Sequence, residues 1–581
     1  MLRDYAPIEG VSNNRRKRVW SIAAIVTFAL FCAYHLWNSL GGDTSGPSLE
    51  ALICDQVEKT TALPVEKVQQ LLADEKLYND TLGKLVNAVK VPTEIYDTYV
   101  NPDIDPSFAG WEPFKLMHKQ LAKDFPAVWS QLKVETVNHY GLIITWKGSD
   151  AALKPAMFAA HMDVVPVERK TWSSWEHEPF SGEVSEDSEF GTLVWGRGSF
   201  DDKNMLIGIL QALEYMLTEE PDFVPQRSVI VALGFDEEAG GPFGAGYITD
   251  ILYKRYGKNG ILSIVDEGVL GVKEVSDVLV ASPGTAEKGR CDVWFHLNTP
   301  GGHSSVPPDH TSIGIAAELI ASIESSKFPA MFTDKNPFSQ YHRCIAEHSP
   351  SMDPRLKKDF SRSMEDDAAN SRVIKYLIET GGKKTEYLMR STHAFDIIQG
   401  GIKANALPET VSFLVDSRIA VESSVAEINQ VFIEKTLAVA AKYDLGVTFQ
   451  GNVLRPATPN GNFNLTQEGS LEPAPPSPNN DVWKSFAATI KTLYEDVVFP
   501  TKFDEPRELV VAPSIMSANT DTAHYWNLTE NIYRYQPGFA LEDTLSTIHS
   551  VNEHINFETV MHVVAFTYGY VHVVNTERYI N

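Results

Sequence analysis

Cysteine is scarce in this chain of 581 residues, which contains only Cys32, Cys54, Cys291 and Cys344. No two of them form a CxxC pair, so the sequence excludes a thiolate zinc finger and a dithiol redox motif. In an oxidising compartment one pair could form a disulfide, but the spacing does not decide which pair. A metal in this protein would therefore be bound by histidine and carboxylate side chains.

Positive charge is also in short supply. The chain has 50 Lys and Arg residues against 76 Asp and Glu residues, which gives a formal net charge of -26. Such a field repels phosphate-rich partners, so nucleic-acid binding is not expected. Extended low-complexity stretches are absent, and a hydrophobic content of 43% is enough for a globular core.

The N-terminal region predicts a membrane anchor. The basic cluster Arg15 to Arg18 precedes an apolar run from Val19 to Trp37 that contains no acidic residue, Lys or Arg. Roughly 20 apolar residues cross a bilayer core, and the positive-inside rule keeps the basic side cytosolic. We therefore predict a single-pass protein with a lumenal or extracellular body. A cleaved signal peptide and a buried core helix are the alternatives.

Polar features after the anchor fit a lumenal body. Residues 41–50 are rich in glycine and serine and predict a flexible stem. Three sequons predict N-glycosylation at Asn79, Asn464 and Asn527.

The body itself predicts an α/β fold. Three short apolar runs each end in residues that can carry chemistry: one before His161, one before Asp236-Glu237-Glu238 and one before Asp266. Between the first and second run, Met205–Met216 has the length and apolar recurrence of a helix. Strands that alternate with helices favour a mostly parallel sheet, which binds ligands at the carboxyl ends of its strands.

Each cluster taken alone has a commoner interpretation. An HxD pair is often a surface pair, an acidic triplet is often a solvated turn, and a single Asp often caps a helix. The segment GRGSFDDK (196–203) could suggest a phosphate loop, but its spacing matches no such motif and its two aspartates would repel phosphate. A carboxylate that bridges two cations fits this segment better.

Six segments together resemble the family of co-catalytic zinc peptidases that includes carboxypeptidase S, the aminoacylases and the carnosinases. They occur in the family's order and are HMDVVPV (161–167), GRGSFDDK (196–203), FDEEAGG (235–241), VDEG (265–268), GGHSS (301–305) and IHSVNE (548–553). With its anchor, the chain is most similar to the fungal vacuolar Gly-Xaa carboxypeptidases of this family. The resemblance implies a location at the vacuolar membrane, with the catalytic domain in the lumen.

The resemblance implies a division of labour among metal ligands. Two Zn²⁺ ions per subunit would be held by His161, Asp201, Glu238, Asp266 and His549. Asp201 would bridge the ions, and the Asp201-Asp202 peptide would be cis. Glu237 would be the general base, and Asp163 would orient His161 by accepting a hydrogen bond from its second ring nitrogen.

The resemblance also implies the domain plan and the residues that recognise substrate. His303 would polarise the scissile carbonyl, often from a partner subunit, and Asn405 and Arg418 would bind substrate, although Arg418 could equally be structural. Asp521 and His524 lie where the family builds its site. The predicted units are a cytosolic tail (1–18), a transmembrane anchor (19–38), a stem (39–64), an N-terminal segment of the catalytic domain (65–288), an α+β lid or dimerisation domain (289–458), a linker (459–480) and a C-terminal segment of the catalytic domain (481–581).

The function expected from this resemblance is release of C-terminal residues from short peptides by a zinc metallocarboxypeptidase. The alternative is an N-acyl amino acid hydrolase or synthase, because both reactions act on an amide beside a carboxylate. A catalytically dead receptor with the same fold is a third possibility, which the full set of ligands and the base disfavours. The resemblance further implies a homodimer formed through the lid.

Overall fold

The computed structural model describes residues 54–577. The predicted cytosolic tail and transmembrane anchor lie outside these residues, as does the first portion of the predicted stem. Within residues 54–577, no helix is both long enough and apolar enough to cross a bilayer.

Twenty-one strands occur in the described region of the chain. They are β1 (Lys133–Val137), β2 (Gly141–Trp146), β3 (Ala156–His161), β4 (Glu183–Asp187), β5 (Gly191–Trp195), β6 (Val229–Gly234), β7 (Ser263–Val275), β8 (Val278–Ala281), β9 (Gly284–Glu287), β10 (Gly289–Asn298), β11 (Gly302–His303), β12 (Thr392–Gly400), β13 (Ala406–Leu407), β14 (Thr410–Ile419), β15 (Gly446–Phe449), β16 (Asn452–Arg455), β17 (Asn462–Leu471), β18 (Leu509–Val511), β19 (Ser514–Met516), β20 (Ile532–Phe539) and β21 (His554–Asn556).

Fifteen α-helices accompany them within residues 54–577. They are α1 (Val65–Ala73), α2 (Glu75–Val89), α3 (Glu112–Asp124), α4 (Pro126–Gln131), α5 (Lys203–Glu219), α6 (Ala245–Tyr256), α7 (Ser312–Glu324), α8 (Pro337–His348), α9 (Pro354–Arg362), α10 (Asp367–Leu388), α11 (Val425–Tyr443), α12 (Asp481–Thr492), α13 (Phe499–Lys502), α14 (Glu542–Leu545) and α15 (Phe557–Thr576).

The predicted α/β class is confirmed by a ten-stranded mixed sheet at the centre of the body. Its main path runs β1-β2-β6-β3-β7-β20-β9-β19, and β8 and β18 branch from β7. The central pairs β6–β3, β3–β7 and β7–β20 are parallel, whereas β1 and β2 pair antiparallel at one edge. Helices cover both faces of such a sheet, so its inner strands are continuous apolar runs.

Side-chain alternation along β3 places apolar groups in two separate cores. Phe158 points into the core that contains the facing helices α5 and α15, whereas Met157 and Ala159 point into the core beneath α6. Strands β3 and β6 are parallel and in register, with His161 opposite Gly234. Their carboxyl ends therefore lie side by side, which brings His161 close to the acidic triplet that follows β6.

A second sheet spans the predicted lid domain, for which the name lid is kept, and extends beyond its predicted C-terminal boundary. Its six strands run in the order β12-β14-β10-β17-β15-β16, so β17 lies inside the sheet next to β10. The predicted lid ended at residue 458 and the predicted linker covered 459–480, which would leave β17 outside. The proline-rich residues 473–478 are typical of a linker, but residues 462–471 form a half-buried strand. The polar composition of this strand is not typical of β structure, so the sequence did not predict it.

The helical segment α8–α10 belongs to the body in its packing, although it lies within the predicted lid range. Phe338 and Phe360 share a core with Ala286 and Ile515, which belong to the ends of the central sheet. A neighbouring core joins Ile345 to strands β8 and β18. The lid sheet has a separate core of its own, built with α7 and α11.

Residues 54–64 are held against the body, which corrects the C-terminal half of the predicted stem. Cys54 forms a disulfide with Cys344, and the remaining cysteine of the described chain, Cys291, is buried. Further along, the backbone N–H of Thr60 donates to the hydroxyl of Thr492 at 2.9 Å. The sequence had left the pairing of the cysteines open, because residues 290 apart in the chain meet only through the packing of α8.

Candidate metal centre

His161 lies at the carboxyl end of β3, almost completely buried. Its Nε2 atom is 3.1 Å from Oδ1 of Asp201 and 3.5 Å from Oε1 of Glu267. Its Nδ1 atom faces Asp163, at 3.1 Å from the backbone carbonyl oxygen and 3.4 Å from carboxylate Oδ1. Asp163 thus stands where it can fix the tautomer of His161, as the sequence predicts, and leaves Nε2 free to bind a metal.

Asp201 stands between two histidines. Its Oδ1 atom faces Nε2 of His161, and its Oδ2 atom lies 3.1 Å from Nε2 of His549. The Asp201-Asp202 peptide is cis, which confirms that expectation. One carboxylate therefore presents a separate oxygen atom to each of two ligand sets.

The loop that carries Asp201 is fixed by Glu553, for which the sequence predicted no role. Oε1 of this buried carboxylate accepts hydrogen bonds from the backbone N–H groups of Gly198 at 2.8 Å, Phe200 at 3.2 Å and Asp201 at 3.3 Å. Its Oε2 atom accepts from the guanidinium of Arg197 at 2.5 Å. Because Glu553 follows His549 by four residues, it couples the Asp201 loop to the segment that carries the second histidine.

The acidic triplet after β6 supplies two further carboxylates. Oε2 of Glu238 is 3.2 Å from Nε2 of His549, and the Glu238 backbone N–H donates to Asp163 at 2.9 Å. Glu237, Glu238 and His161 can place one ligand atom each within 4.8 Å of one another. The neighbouring Asp236 faces the other way and accepts hydrogen bonds that close the loop.

The structure differs from the sequence prediction in the carboxylate that β7 supplies. Glu267, rather than Asp266, forms a compact group with His161 and Asp201. Asp266 is 1% exposed, and its Oδ2 atom has no hydrogen-bond partner in the described chain. Successive side chains of a strand point to opposite faces, and the VDEG motif alone does not reveal which of its two acids faces His161.

These groups interact strongly. Hydrogen bonds to Asp201 and Glu238 raise the pKa of His549 to about 10. Burial lowers the pKa of His161, but the nearby carboxylates, Glu267 foremost, outweigh it and hold the pKa well above its ordinary value. Burial, followed by the charge of Asp201, raises the pKa of Glu238 to about 6.

An excess of carboxylates marks this cluster as a cation site. Asp201, Glu237, Glu238 and Glu267 converge on two imidazoles, and no lysine or arginine of residues 54–577 forms an ion pair with them. Oε1 of Glu238 is buried without a hydrogen-bond partner among the described residues. Such a set of nitrogen and oxygen donors suits divalent zinc.

The substrate-recognition candidates lie apart from this cluster, on the lid. His303 is exposed on β11, where its Nδ1 atom contacts the hydroxyl of Ser305 at 2.7 Å. Asn405 is exposed in the segment that precedes β13, the strand paired with β11. Arg418 of β14 bonds to Asp416 at 3.3 Å and to Asn519 of the body at 3.4 Å. None of these contacts reaches the candidate metal ligands.

Two residues near the family's site take supporting positions. Asp521 is buried, and its carboxylate oxygens occupy the space where side chains on Gly234 and Gly241 would lie. His524 contacts the backbone oxygen of Gly240 at 2.8 Å. Both residues therefore pack against the loop that contains the acidic triplet.

Two further histidines lie in aromatic contacts away from the cluster. His177 packs on Trp195, with ring centroids 4.9 Å apart, and His310 packs on Tyr443, also with ring centroids 4.9 Å apart.

Comparison with known proteins decides the family. The sequence profile of peptidase family M20/M25/M40 matches residues 157–572. The chain belongs to this family. It is 42% identical to carboxypeptidase S of Saccharomyces cerevisiae over 529 residues, which cover 90% of this chain and 89% of that protein. As a homologue of carboxypeptidase S in a metallopeptidase family, the chain is a hydrolase.

A more distant relative and a solved structure extend the comparison. The N-fatty-acyl-amino acid synthase/hydrolase PM20D1 of Xenopus tropicalis is 31% identical over 455 residues, which cover 77% of this chain and 78% of that protein. The crystal structure of an M20 family metallo-carboxypeptidase, Sso-CP2 of Sulfolobus solfataricus, aligns with a TM-score of 0.54 at 16% identity and covers 87% of this chain and all of that one. This structural similarity supports the fold.

Proposed function

We propose that this protein is a dizinc metallocarboxypeptidase that releases C-terminal amino acids from short peptides of the Gly-Xaa type. The observation that carries the proposal is the position of Asp201, whose two oxygens face two different histidines 3.1 Å away. A carboxylate in this position can bridge two metal ions in a co-catalytic site. The similarity to carboxypeptidase S supports the choice of substrate.

The ligand groups divide naturally between two ions. His161 and Glu267 would complete one zinc, and Glu238 and His549 would complete the other, with Asp201 shared. Zinc bound there would polarise the scissile carbonyl and lower the pKa of water to near neutrality. Each ligand is needed in its deprotonated form, so bound cations would reverse the rise in carboxylate pKa that burial produces.

Glu237 is the proposed general base. Its carboxylate can approach His161 and Glu238 within 4.8 Å, and it is not needed to complete either ligand set. Burial raises its pKa well above the ordinary value, which suits a group that must accept a proton from water and then donate it to the leaving amine. Asp163 holds the imidazole of His161 in the matching orientation.

Lid residues would recognise the substrate. Arg418 is 37% exposed and donates from Nε to Asp416 and from Nη1 to Asn519, so its Nη2 group remains available to a terminal carboxylate. Asn405 would hydrogen-bond the substrate backbone. His303 is exposed on the lid, and we propose that it stabilises the oxyanion of a partner subunit's site, as the resemblance implies.

A homodimer through the lid fits the apolar surface of that domain. Val306, Ile398 and Ile402 are 81%, 63% and 104% exposed, respectively. Ile398 belongs to β12, the edge strand of the lid sheet, and an exposed apolar edge strand favours pairing with another chain.

A lumenal location fits the disulfide between Cys54 and Cys344, because such bonds persist in oxidising compartments. We propose a vacuolar lumen, with a single N-terminal membrane helix and N-glycosylation at Asn79, Asn464 and Asn527. Asn79 and Asn527 are exposed, whereas Asn464 is half-buried in β17 and accepts a hydrogen bond from Thr448. We therefore expect glycosylation at Asn464 to be the least complete of the three.

The second candidate function is hydrolysis or synthesis of N-acyl amino acids. The similarity to N-fatty-acyl-amino acid synthase/hydrolase PM20D1 favours it. The metal ligands would be the same, because both substrates present an amide next to a free carboxylate.

A substrate screen with the purified full-length chain separates the two functions. We expect zinc-dependent cleavage of the dipeptide Gly-Leu, with a kcat/KM at least about 100-fold higher than that for its C-terminal amide, because the site is built to pair with a carboxylate. N-acetyl-leucine and N-dodecanoyl-leucine should be poor substrates. Faster cleavage of either N-acyl compound would favour the alternative, and full activity after removal of metal by a chelator would contradict both.

The choice between Glu267 and Asp266 as a ligand gives a direct prediction. Glu267→Gln should lower the zinc content from two ions to about one per subunit, because the glutamine side chain is a neutral and weaker ligand. Asp266→Asn is the matched control and should retain both ions. Elemental analysis after gel filtration in zinc-free buffer measures the content. Loss of zinc from Asp266→Asn alone would identify Asp266 as the ligand instead.

A further inference from the structure

A cavity separate from the metal centre lies under the helical segment α8–α10. Its volume is about 440 Å³, within the range of about 300–1,000 Å³ typical of small-molecule sites. One side of the cavity is formed by the C-terminal end of β7, and the other side is formed by helices α8 to α10. Most of its wall is apolar, built from Phe338, Ile345, Met352, Phe360, Leu377 and Leu388.

The charged side chains that line this cavity are two lysines. Lys273, His342 and Lys384 contribute to the lining, and none of the lining residues in the described chain is Asp or Glu. This is notable in a protein whose acidic residues outnumber its basic residues by 76 to 50. An anion that entered this cavity would meet no repelling carboxylate on the wall.

Lys273 has no anionic partner within residues 54–577. No hydrogen bond or ion pair holds its ammonium group there, and its contact is with the ring of Tyr341, whose centroid lies 5.2 Å from Nζ. Burial lowers the pKa of Lys273. Burial and then the nearby charge of Lys273 lower the pKa of His342 to about 3, so the imidazole is neutral. A partly buried ammonium without a partner is costly, and an incoming anion would offset that cost.

We propose that this cavity binds a single-chain amphiphilic carboxylate of the medium-chain fatty acid class. The carboxylate would pair with Lys273, and the chain would lie along the apolar wall. The volume is at the low end for ligand sites, which favours one acyl chain over a two-chain lipid.

The site is distinct from the proposed peptidase centre. None of the candidate metal ligands lines this cavity. Lys273 follows Glu267 by six positions along β7, and a strand rises at most about 3.3 Å per residue, so their Cα atoms are up to roughly 20 Å apart. The proposed ligand therefore does not compete with a peptide for the metals, and the proposal does not depend on which amide the enzyme hydrolyses.

Photo-crosslinking with a diazirine derivative of dodecanoic acid tests the proposal on the purified full-length chain. We expect the label on peptides from α8 and α10, with at least tenfold less labelling after Lys273→Met. Lys254→Met, which removes an exposed lysine from α6, is the matched control and should label like the unaltered chain. Thr380→Trp, at an exposed position of the lining, should block labelling by filling the cavity.

Competition identifies the chemistry of the ligand. Unlabelled dodecanoate should displace the probe, whereas dodecanol should do so at least tenfold less well. Equal labelling of the Lys273→Met and Lys254→Met variants would overturn the proposal, as would equal competition by dodecanol or a label located outside α8–α10. Unchanged thermal melting and dipeptide hydrolysis of Lys273→Met would show that the fold is retained.

Discussion

Replacement of Glu237 by glutamine is expected to lower kcat for Gly-Leu by about 10³- to 10⁴-fold, within the range that general acid–base catalysis contributes. The change keeps the size of the side chain but removes the group that accepts a proton. Because Glu237 is not required in either set of metal ligands, the zinc content should stay at two ions per subunit. KM should change little, since the substrate is expected to be held by Arg418 and Asn405 of the lid.

The matched control is Glu434→Gln on the exposed face of α11, where the carboxylate accepts a hydrogen bond from Gln430 of the same helix. It should retain full activity and full zinc content. Two results would contradict the role of Glu237: a variant with near-normal kcat, or a variant whose loss of activity follows a loss of zinc. In the second case Glu237 would be a metal ligand. Because Glu237 lies close to His161, the zinc content of the variant should be measured together with its activity.

Two signals in the sequence pointed to His161 and to the acidic triplet: each follows a predicted strand, and each belongs to a motif of the family. His161 and the triplet after β6 each follow an apolar run typical of a buried strand, and parallel strands bring their carboxyl ends to one edge. Asp201 and His549 lie in loops without such a marker. The two aspartates of GRGSFDDK suggested a bridging carboxylate, whereas only the resemblance pointed to His549. The geometry then adds what no motif contains, namely which oxygen of Asp201 faces which histidine.

The two differences between the sequence predictions and the structure also have physical reasons. Both acids of the VDEG motif follow the same apolar run, so the sequence does not show which of them faces His161. The answer depends on the pleat of β7, which continues to Val275 beyond the predicted end of the strand. The lid boundary was wrong because β17 contains polar residues and a glycine, yet lies between β10 and β15. In both cases tertiary pairing, rather than local preference, decided the outcome.

The role of Glu553 also depends on tertiary contacts that the sequence does not reveal. It gives the prediction with the largest expected effect on stability. Its carboxylate is fully buried, and its only cationic partner among the described residues is Arg197, which is itself 5% exposed. Arg197→Met should therefore lower the free energy of unfolding by about 3–5 kcal/mol, because it leaves a buried charge without compensation. Equilibrium unfolding in urea, followed at a fixed zinc concentration, measures the change.

Two further variants distinguish loss of charge compensation from loss of packing. Arg372→Met breaks an exposed pair with Asp359 and should change stability only slightly. Adding Glu553→Gln to Arg197→Met should recover some of the lost stability, because the amide oxygen can still accept from the backbone N–H groups of the Asp201 loop while the buried charge is gone. If the double variant is no more stable than Arg197→Met, packing of the arginine on Trp175 would be the main contribution instead. Because Glu553 fixes the loop of the bridging carboxylate, the single variant should also lose activity in proportion to its zinc content.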